Sequence, residues 1–316
     1  MTATIGLDIG GTKISAAVVS DDGVVLASVR AQTPATEPDA IVTTCADLVR
    51  RLTAEHEVEA VGVAAAAFVD AARATVRFAP NIAWRDAPLR ALLEDQLRLP
   101  VVIENDANAA AWGEFLYGPA RDVDHMVLIT IGTGVGGGIV LDGQLMRGAF
   151  GIAGELGHLR VIPGGVLCGC GNRGCWEQYA SGNALVREGR ELMRTAPGLA
   201  EALNDLAGPN PDDLRGPHIT KAAKDGDAAS IELLSDLGRW IGEGAASIAA
   251  VLDPSMIVLG GGVAAAGDLL LDPAVAAFRR NLSGRGHRPE AVWALAGLGN
   301  DAGMIGAAAL ARKEAR

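Results

Sequence analysis

One pattern occurs twice in this chain: an apolar strand, a tight turn of glycine and threonine, and a second strand. Ile5-Gly-Leu-Asp-Ile-Gly-Gly-Thr-Lys-Ile14 is the first copy and Val127-Leu-Ile-Thr-Ile-Gly-Thr-Gly-Val-Gly136 the second. An Asp-Gly turn follows each copy, at Asp22-Gly23 and at Asp142-Gly143. A chain that restarts in this way is constrained to two related α/β halves, each opening on a β-hairpin. At 316 residues it is also long for a single core. We expect residues 1–117 with 302–316 to form a small N-terminal α/β domain, and 118–301 a larger C-terminal one.

The periodicities fill in the halves. Thr4–Asp8, Ile14–Val19 and Val24–Ala31 read as strands, Pro38–His56 as a helix and Val58–Ala65 as a strand. Pro88–Leu97 is a helix, Val101–Ile103 a strand and Asp106–Leu116 an alanine-rich helix. In the second half His125–Ile131 is a strand, Gly132–Gly138 a glycine loop and Gly138–Leu141 a strand. Helices follow at 176–195 and 227–252, and the stretch 197–217, rich in proline, glycine and aspartate, reads as a loop. Met256–Leu259 is a buried strand ending in Gly260-Gly261-Gly262. A helix, a strand at Val292–Leu295 and a helix at Ala302–Ala311 close the chain.

Composition narrows the function classes. The net charge is −11 and no basic stripe offsets it, which argues against nucleic acid as a partner. Met1 leads directly into an apolar strand containing Asp8, so no signal peptide is read. The most apolar long helix, 228–252, carries Glu232, Asp236, Arg239 and Glu243, so no membrane span is expected. Cys45 shares a helical stripe with Ile41, Leu48 and Leu52 and reads as a buried small apolar residue.

The other three of the four cysteines lie within eight residues, at Cys168, Cys170 and Cys175, with His158 upstream. One histidine and three thiols make a full ligand set for tetrahedral zinc. A disulfide pair is the alternative, which a reducing cytoplasm disfavours. Glu155 and Glu177 flank the set and are not needed for zinc, so a polar ligand beside the metal is expected. Glutamate is mostly a solvated residue, and a solvated or supporting carboxylate is the competing reading for both.

The glycine turns suggest phosphate. Gly132-Thr-Gly134-Val-Gly136-Gly137 formally fits the dinucleotide fingerprint, but that motif must open a helix and this one feeds a strand. Backbone N–H groups at Gly10-Gly11-Thr12-Lys13 and Gly132-Thr133-Gly134, with threonine hydroxyls and the Lys13 ammonium, suit an anion-binding nest. Ordinary hairpin turns would use the same glycines. Asp8 is an aspartate in a strand beside such a turn, a position that suits a water bound to Mg²⁺. Gly260-Gly261-Gly262, between a strand and a helix, permits close approach of a nucleoside or a close helix–strand contact.

Glu104-Asn105-Asp106-Ala-Asn108 stands between a strand and a helix. Asp106 there suits a helix N-cap. It also suits a base that takes a proton from a substrate hydroxyl at the carboxyl end of a strand, with Asn105 bonded to its neighbour.

Together these segments resemble the ROK family of repressors and sugar kinases, within the actin-like ATPase superfold. The matching residues are Asp8-Ile-Gly-Gly-Thr-Lys13, Glu104-Asn-Asp-Ala-Asn108, Ile131-Gly-Thr-Gly-Val-Gly136, Gly151-Ile-Ala-Gly-Glu-Leu-Gly-His158 and Cys168-Gly-Cys-Gly-Asn-Arg-Gly-Cys175-Trp-Glu177. Gly260-Gly-Gly262 and Gly303-Met-Ile-Gly-Ala-Ala308 carry the likeness to the far end. Within the family the chain is most similar to bacterial glucokinases of actinobacterial type.

The resemblance implies a two-domain α/β fold with a cleft between domains, and ATP-dependent phosphorylation of the 6-hydroxyl of glucose. It implies Asp106 as the catalytic base, and Asn105, Glu155, His158 and Glu177 on the other sugar hydroxyls. His158, Cys168, Cys170 and Cys175 would hold structural zinc. Asp8, Gly10, Gly11, Thr12, Lys13, Gly132, Thr133 and Gly134 would surround the ATP phosphates and Mg²⁺. Gly260, Gly261 and Gly262 would lie near the nucleoside. One isolated cysteine and a clustered trio make a disulfide scaffold unfavourable and fit a reducing cytoplasm, whereas a homo-oligomer, dimer or tetramer, follows from none of the residues quoted. The chain departs from the family where Ala67 stands at or next to a usual glycine near the sugar. Mannose, fructose, allose and N-acetylhexosamines remain alternative substrates, polyphosphate an alternative donor, and a sugar-sensing regulator without a DNA-binding domain the non-enzyme alternative.

Overall fold

The computed structural model describes residues 3–315. Met1, expected to lead into the first strand, and Arg316, the end of the expected terminal segment, lie outside the described residues.

The first sheet begins with a meander. Strands β1 (Ala3–Ile9), β2 (Lys13–Val19) and β3 (Val25–Gln32) pair antiparallel in sequence. Helix α1 (Pro38–Thr53) follows, with Pro38 in its first turn and Arg50 and Arg51 in its last, the placement that fixed φ and the helix dipole favour. It leads to β4 (Val58–Ala65), which pairs parallel with β1. Three short strands, β5 (Phe68–Val69), β6 (Val76–Phe78) and β7 (Arg85–Ala87), form a small separate sheet that the periodicity did not reveal. Helix α2 (Leu89–Leu97) and strand β8 (Val101–Asn105) complete the unit, β8 pairing parallel with β4, and α3 (Asp106–Tyr117) leaves its carboxyl end.

The second sheet holds β9 (Met126–Ile131), β10 (Val135–Leu141), β11 (Gln144–Leu145), β12 (Met256–Gly260) and β13 (Val292–Leu295). The strand orders are β3-β2-β1-β4-β8 and β11-β10-β9-β12-β13. Counted within each sheet, both read 3-2-1-4-5, so the repeated turn does mark a repeated topology. The expected loop Gly132–Gly138 is shorter than its composition suggests, because β10 already starts at Val135. Glycines after that point sit in a strand, where close neighbours exclude a Cβ: one on Gly138 would fall 2.4 Å from the Ala111 Cβ.

Between the strands of the second half run α4 (Glu177–Ala180), α5 (Gly182–Thr195), α6 (Glu201–Ala207), α7 (Gly216–Lys224), α8 (Ala228–Leu252) and α9 (Asp268–Asn281), and α10 (Ala302–Ala315) ends the described chain. The helix expected over 176–195 is two helices. Ser181 adopts extended backbone and caps the second by accepting from the Ala184 N–H. The loop expected over 197–217 contains α6 and the start of α7. Three of its four prolines, Pro197, Pro211 and Pro217, sit at helix starts, where a missing N–H costs nothing, and Leu203 and Leu214 within it and Ile219 just beyond it are fully buried. No helix among the described residues is long and apolar enough to cross a membrane.

Chain contacts divide the molecule into two compact units. One takes the chain to Leu128, Gly137–Gly154 and the chain from Gly297; the other takes Ile129–Gly136 and Glu155–Ala296. The core of the first packs Ile5, Leu7, Ile9 and Ile14 against α1 and α2, and Cys45 is fully buried within it. Burial pushes the Cys45 thiol up to about 12, so it is an inert packing residue. Helix α10 lies directly on this sheet. A Cβ on Gly6 would meet the Met304 carbonyl at 2.0 Å, and one on Gly62 the Ala307 carbonyl at 1.8 Å. In the second unit Trp176, Ile241, Leu259 and Phe278 are buried.

Candidate active site

The first unit holds Asp8, Gly10–Lys13, Asn105 and Asp106. Parallel pairing sets Asp8 level with Ala64, and Ala64 level with Glu104. Asp8 and the Asn105-Asp106 pair therefore stand at the carboxyl ends of β1 and β8, separated by one strand. Two inter-strand spacings make that about 10 Å. This edge of an α/β sheet is where ligands bind.

Asp106 is not the helix N-cap. Asn105 holds that position, its Oδ1 accepting from the Asn108 N–H at 3.0 Å. Asn105 Nδ2 donates to Asp106 Oδ1 at 3.1 Å and to the Ala67 carbonyl at 3.2 Å. The Ala107 N–H also donates to Asp106 Oδ1, at 2.9 Å. Asp106 thus begins α3 as its first residue, with its carboxylate aimed by donors rather than spent on capping. Ala67 is buried, and its carbonyl is part of this arrangement.

Beneath the pair lies Glu104, which sequence reading passed over. It is 1% exposed and sits 2.9 Å from Arg73 Nε and 2.6 Å from Arg147 Nε. Burial pulls the Arg147 guanidinium below its ordinary value, and the Glu104 charge opposes that shift. No local signal marks such a glutamate, since Arg73 lies 31 residues away in sequence.

At the end of β1 the Gly10 N–H donates to the Lys13 carbonyl at 3.1 Å, closing the turn, and Thr33 Oγ1 donates to the Gly10 carbonyl at 2.7 Å. Thr12 and Lys13 are exposed. Burial pushes the Asp8 carboxyl above the usual range; Lys13 lowers it and Asp301 raises it. A half-buried carboxylate beside an open glycine turn fits a hard divalent cation such as Mg²⁺.

The second unit holds the remaining candidates. In the turn after β9 the Gly132 N–H donates to the Gly134 carbonyl at 3.0 Å and Thr133 is exposed, as Thr12 is in the first turn. The Gly132 and Thr133 carbonyls accept from the N–H groups of Gly182 and Asn183 at the start of α5. Gly261 has φ +85°, and a Cβ there would come within 2.5–2.7 Å of the Ile131 backbone. The two glycine segments are therefore neighbours. Gly132, Thr133 and Gly262 line one cleft of about 1190 Å³ together with α5 and α7. That cleft also carries Arg187, Arg190, Arg194, Arg215, Lys221 and Lys224, which sequence reading did not single out. Most are engaged locally, as in Arg194 with Asp212 at 3.1 Å and Lys221 with Asp225 at 2.7 Å.

The cysteine segment folds as a knuckle. The Cys168 N–H donates to the Asn172 carbonyl at 2.8 Å and the Gly171 N–H to the Cys168 carbonyl at 3.0 Å. Ligand atoms of His158, Cys168, Cys170 and Cys175 all lie within 4.8 Å of one another. Cys170 and Cys175 sulfurs are 3.6 Å apart, and Cys168 Sγ is 3.7 Å from His158 Nδ1. A disulfide needs about 2.05 Å, whereas two thiolates on tetrahedral zinc, each bonded at about 2.3 Å, stand about 3.8 Å apart. The residues present fit zinc.

Beyond the thiols lies a carboxylate edge. His158 Nε2 is 3.8 Å from Glu155 Oε2, and Nδ1 is 3.9 Å from Glu177 Oε1. Cys168 Sγ donates to Glu177 Oε1 at 2.9 Å. Burial pushes the Glu155 carboxyl up; His158 lowers it and Glu177 raises it. Trp176 anchors this edge: it is fully buried, its Nε1 donates to the Trp240 carbonyl at 2.8 Å, and α8 meets it at Gly244. Cys175, Trp176 and Glu177 thus face the thiol cluster, the core and the carboxylate edge in turn.

The ROK family profile matches residues 4–314. The chain belongs to the ROK family. A glucokinase of Streptomyces coelicolor is 48% identical over 313 residues, covering 99% of this chain and 98% of the relative. The solved ROK family glucokinase of Streptomyces griseus, in complex with glucose and AMPPNP, superposes with TM-score 0.91 at 49% identity, covering 98% of this chain and 99% of that one. The ROK hexokinase of Thermus thermophilus superposes with TM-score 0.83 at 35% identity, covering 99% of each chain. This ROK chain has the actin-like ATPase fold of those sugar kinases.

Proposed function

We propose that this chain transfers the γ-phosphoryl group of ATP to the 6-hydroxyl of glucose, giving glucose 6-phosphate and ADP. The observation that carries the reading is the Asp106 carboxylate, aimed by Asn105 at the carboxyl end of β8 and one strand removed from Asp8. The full-length likeness to the glucose-bound and AMPPNP-bound relative supports the same substrates.

Phosphoryl transfer asks a protein for positioning and charge stabilisation more than for covalent chemistry. Asp106 takes the proton of the sugar hydroxyl as its oxygen attacks the γ-phosphorus. The bond from that phosphorus to the β-phosphate oxygen breaks, and ADP leaves with the electron pair. General-base assistance of this kind contributes about 10²–10⁴-fold. Backbone N–H groups of the two glycine turns, with Thr12, Lys13 and Thr133, hold the phosphates. Asp8 would hold Mg²⁺, which when bound neutralises charge on the phosphates.

Asn105, Glu155, His158 and Glu177 take the other sugar hydroxyls. Three thiolates and a histidine leave no open position, so zinc held by His158, Cys168, Cys170 and Cys175 would be structural. Cys168 Sγ lies on the Nδ1 side of His158. Nε2–H is then left as a donor of fixed direction, turned towards Glu155 and the sugar. A reducing cytoplasm keeps such thiols available to metal.

An assay of ADP release across a hexose panel tests the reading. Glucose should give the highest kcat/KM. A higher value with mannose, fructose, allose or an N-acetylhexosamine reassigns the substrate, and no turnover with any hexose overturns the kinase reading.

A further inference from the structure

Glu104 divides four partners between its two oxygens, three hydrogen-bond donors and one ion-paired guanidinium. Oε1 accepts from the Asn105 backbone N–H at 3.0 Å and from Asn108 Nδ2 at 3.3 Å. Oε2 faces the two guanidiniums, Arg73 Nε at 2.9 Å and Arg147 Nε at 2.6 Å. Both arginines reach further. Arg147 Nη1 and Nη2 donate to the carbonyls of Ala71 and Asp70, each at 2.9 Å. Arg73 also pairs with Glu314, and its carbonyl accepts from the Ile103 N–H at 3.2 Å. Every one of these residues belongs to the first unit.

A buried ion pair is a poor device for stability alone, because apolar residues of similar volume often serve as well or better. The placement of this one suggests another use. The two donors on Oε1 bracket Asp106 in sequence, and the Asn105 side chain that they help to set donates to Asp106 Oδ1. The partners on Oε2 hold the segment Asp70–Arg73, and the same loop is tied at Ala67 to Asn105 Nδ2. One buried carboxylate therefore joins the start of the helix that carries Asp106 to the loop packed against it.

We infer that Glu104 is a positioning residue for phosphoryl transfer: through Asn105 and Asn108 it sets the direction of the Asp106 carboxylate, and through Arg147 it locks the Ala67–Arg73 loop against it. The inference rests on the reading of Asp106 as the base. It adds that the negative charge of Glu104, and not only its shape, is required, since a neutral side chain leaves two guanidiniums facing each other across it.

Glu104→Gln keeps the volume and an acceptor for Asn105 and Asn108 but removes the charge. It should lower kcat with glucose about 10- to 100-fold, as expected for a displacement on the order of 1 Å at a reacting group. The KM for ATP should stay within about twofold, because the phosphate turns are built from other residues. Arg147→Lys, which keeps the charge but loses the planar fork, should lower kcat in the same way. The double variant should lose little more than Glu104→Gln alone, since residues that act as a unit are not additive.

Glu114→Gln supplies the control. Glu114 is the other fully buried carboxylate near α3, holding the N–H groups of Gly297 and Leu298 at 2.9 Å each. That variant should unfold at a lower temperature yet keep kcat within about twofold. Amide hydrogen exchange reads the lock without turnover: Glu104→Gln should speed exchange at both Asn105–Asn108 and Asp70–Arg73, and Glu114→Gln at neither. A wild-type chain without hexokinase activity overturns the kinase reading. Wild-type kcat and unchanged exchange in Glu104→Gln or Arg147→Lys, multiplicative losses in the double variant, or an equal loss of kcat in Glu114→Gln overturn the positioning role.

Discussion

Asn105 Nδ2 donates to Asp106 Oδ1 at 3.1 Å while Asn105 Oδ1 caps α3 by accepting from the Asn108 N–H at 3.0 Å. A single side-chain amide therefore starts the helix and aims the carboxylate. Asp106 is freed from capping because its neighbour does it.

Asp106→Asn preserves size and an acceptor for the Ala107 N–H but cannot take a proton. Turnover should fall by at least about 10²-fold, while glucose binding stays measurable by calorimetry. Near-normal turnover would reduce Asp106 to the first residue of a helix.

Asn105→Ser separates the two tasks. Serine is as good a cap as asparagine, so thermal stability should change by less than about 1 kcal/mol. It is too short to reach Asp106 Oδ1, so kcat should fall and glucose KM should rise. An unchanged rate in a stable variant would show that the Nδ2 bond is dispensable.

Gly134→Ala probes Glu177. A Cβ on Gly134 would stand 2.8 Å from Glu177 Oε2, and no positive φ forbids alanine there. The end of a flexible side chain can move where backbone cannot, so the fold should survive and the carboxylate should shift. Glucose KM should rise several-fold, a loss of about 1 kcal/mol or more for a disturbed charged hydrogen bond, and by more than the ATP KM, since alanine keeps the backbone N–H that the phosphate turn uses.

Cys170→Ala removes one ligand of the proposed zinc set. Metal content measured by elemental analysis should fall, and glucose affinity should fall with it although Cys170 need not touch sugar. Retained zinc together with retained affinity would disconnect His158 from the metal.

Burial pushes the Glu114 carboxyl above its ordinary value, with the Leu298 and Gly297 N–H groups opposing the shift. Between an unfolded value of about 4.3 and the raised folded one, the folded state binds more protons. Stability should therefore fall as pH rises through that window. Denaturant titrations should show a shallower fall in Glu114→Gln. Its overall stability should be lower by about 1–3 kcal/mol, because one of the two backbone N–H groups loses its acceptor.

Much of the architecture was legible because its signals are local. The period-two strands, the two glycine-threonine turns and the cysteine knuckle each lie within a short window, and the structure keeps most of the expected strands to within a residue or two, with β10 starting three residues before the expected Gly138. Composition misled where punctuation was dense. Over 197–217 proline and glycine suggested a loop, while the buried Leu203, Leu214 and Ile219 drew helices α6 and α7 out of it.

The amino-acid sequence by itself determined the repeated half, the ligand set and the candidate base, since each depends on residues adjacent in the chain. Tertiary structure alone decided which residue caps α3, that Gly261 lies against Ile131, and that Glu104 meets Arg73 and Arg147. The cap is a choice between neighbours that either could fill, whereas the other two relationships pair residues far apart in sequence, and a buried glutamate is indistinguishable from a solvated one until the chain has closed around it.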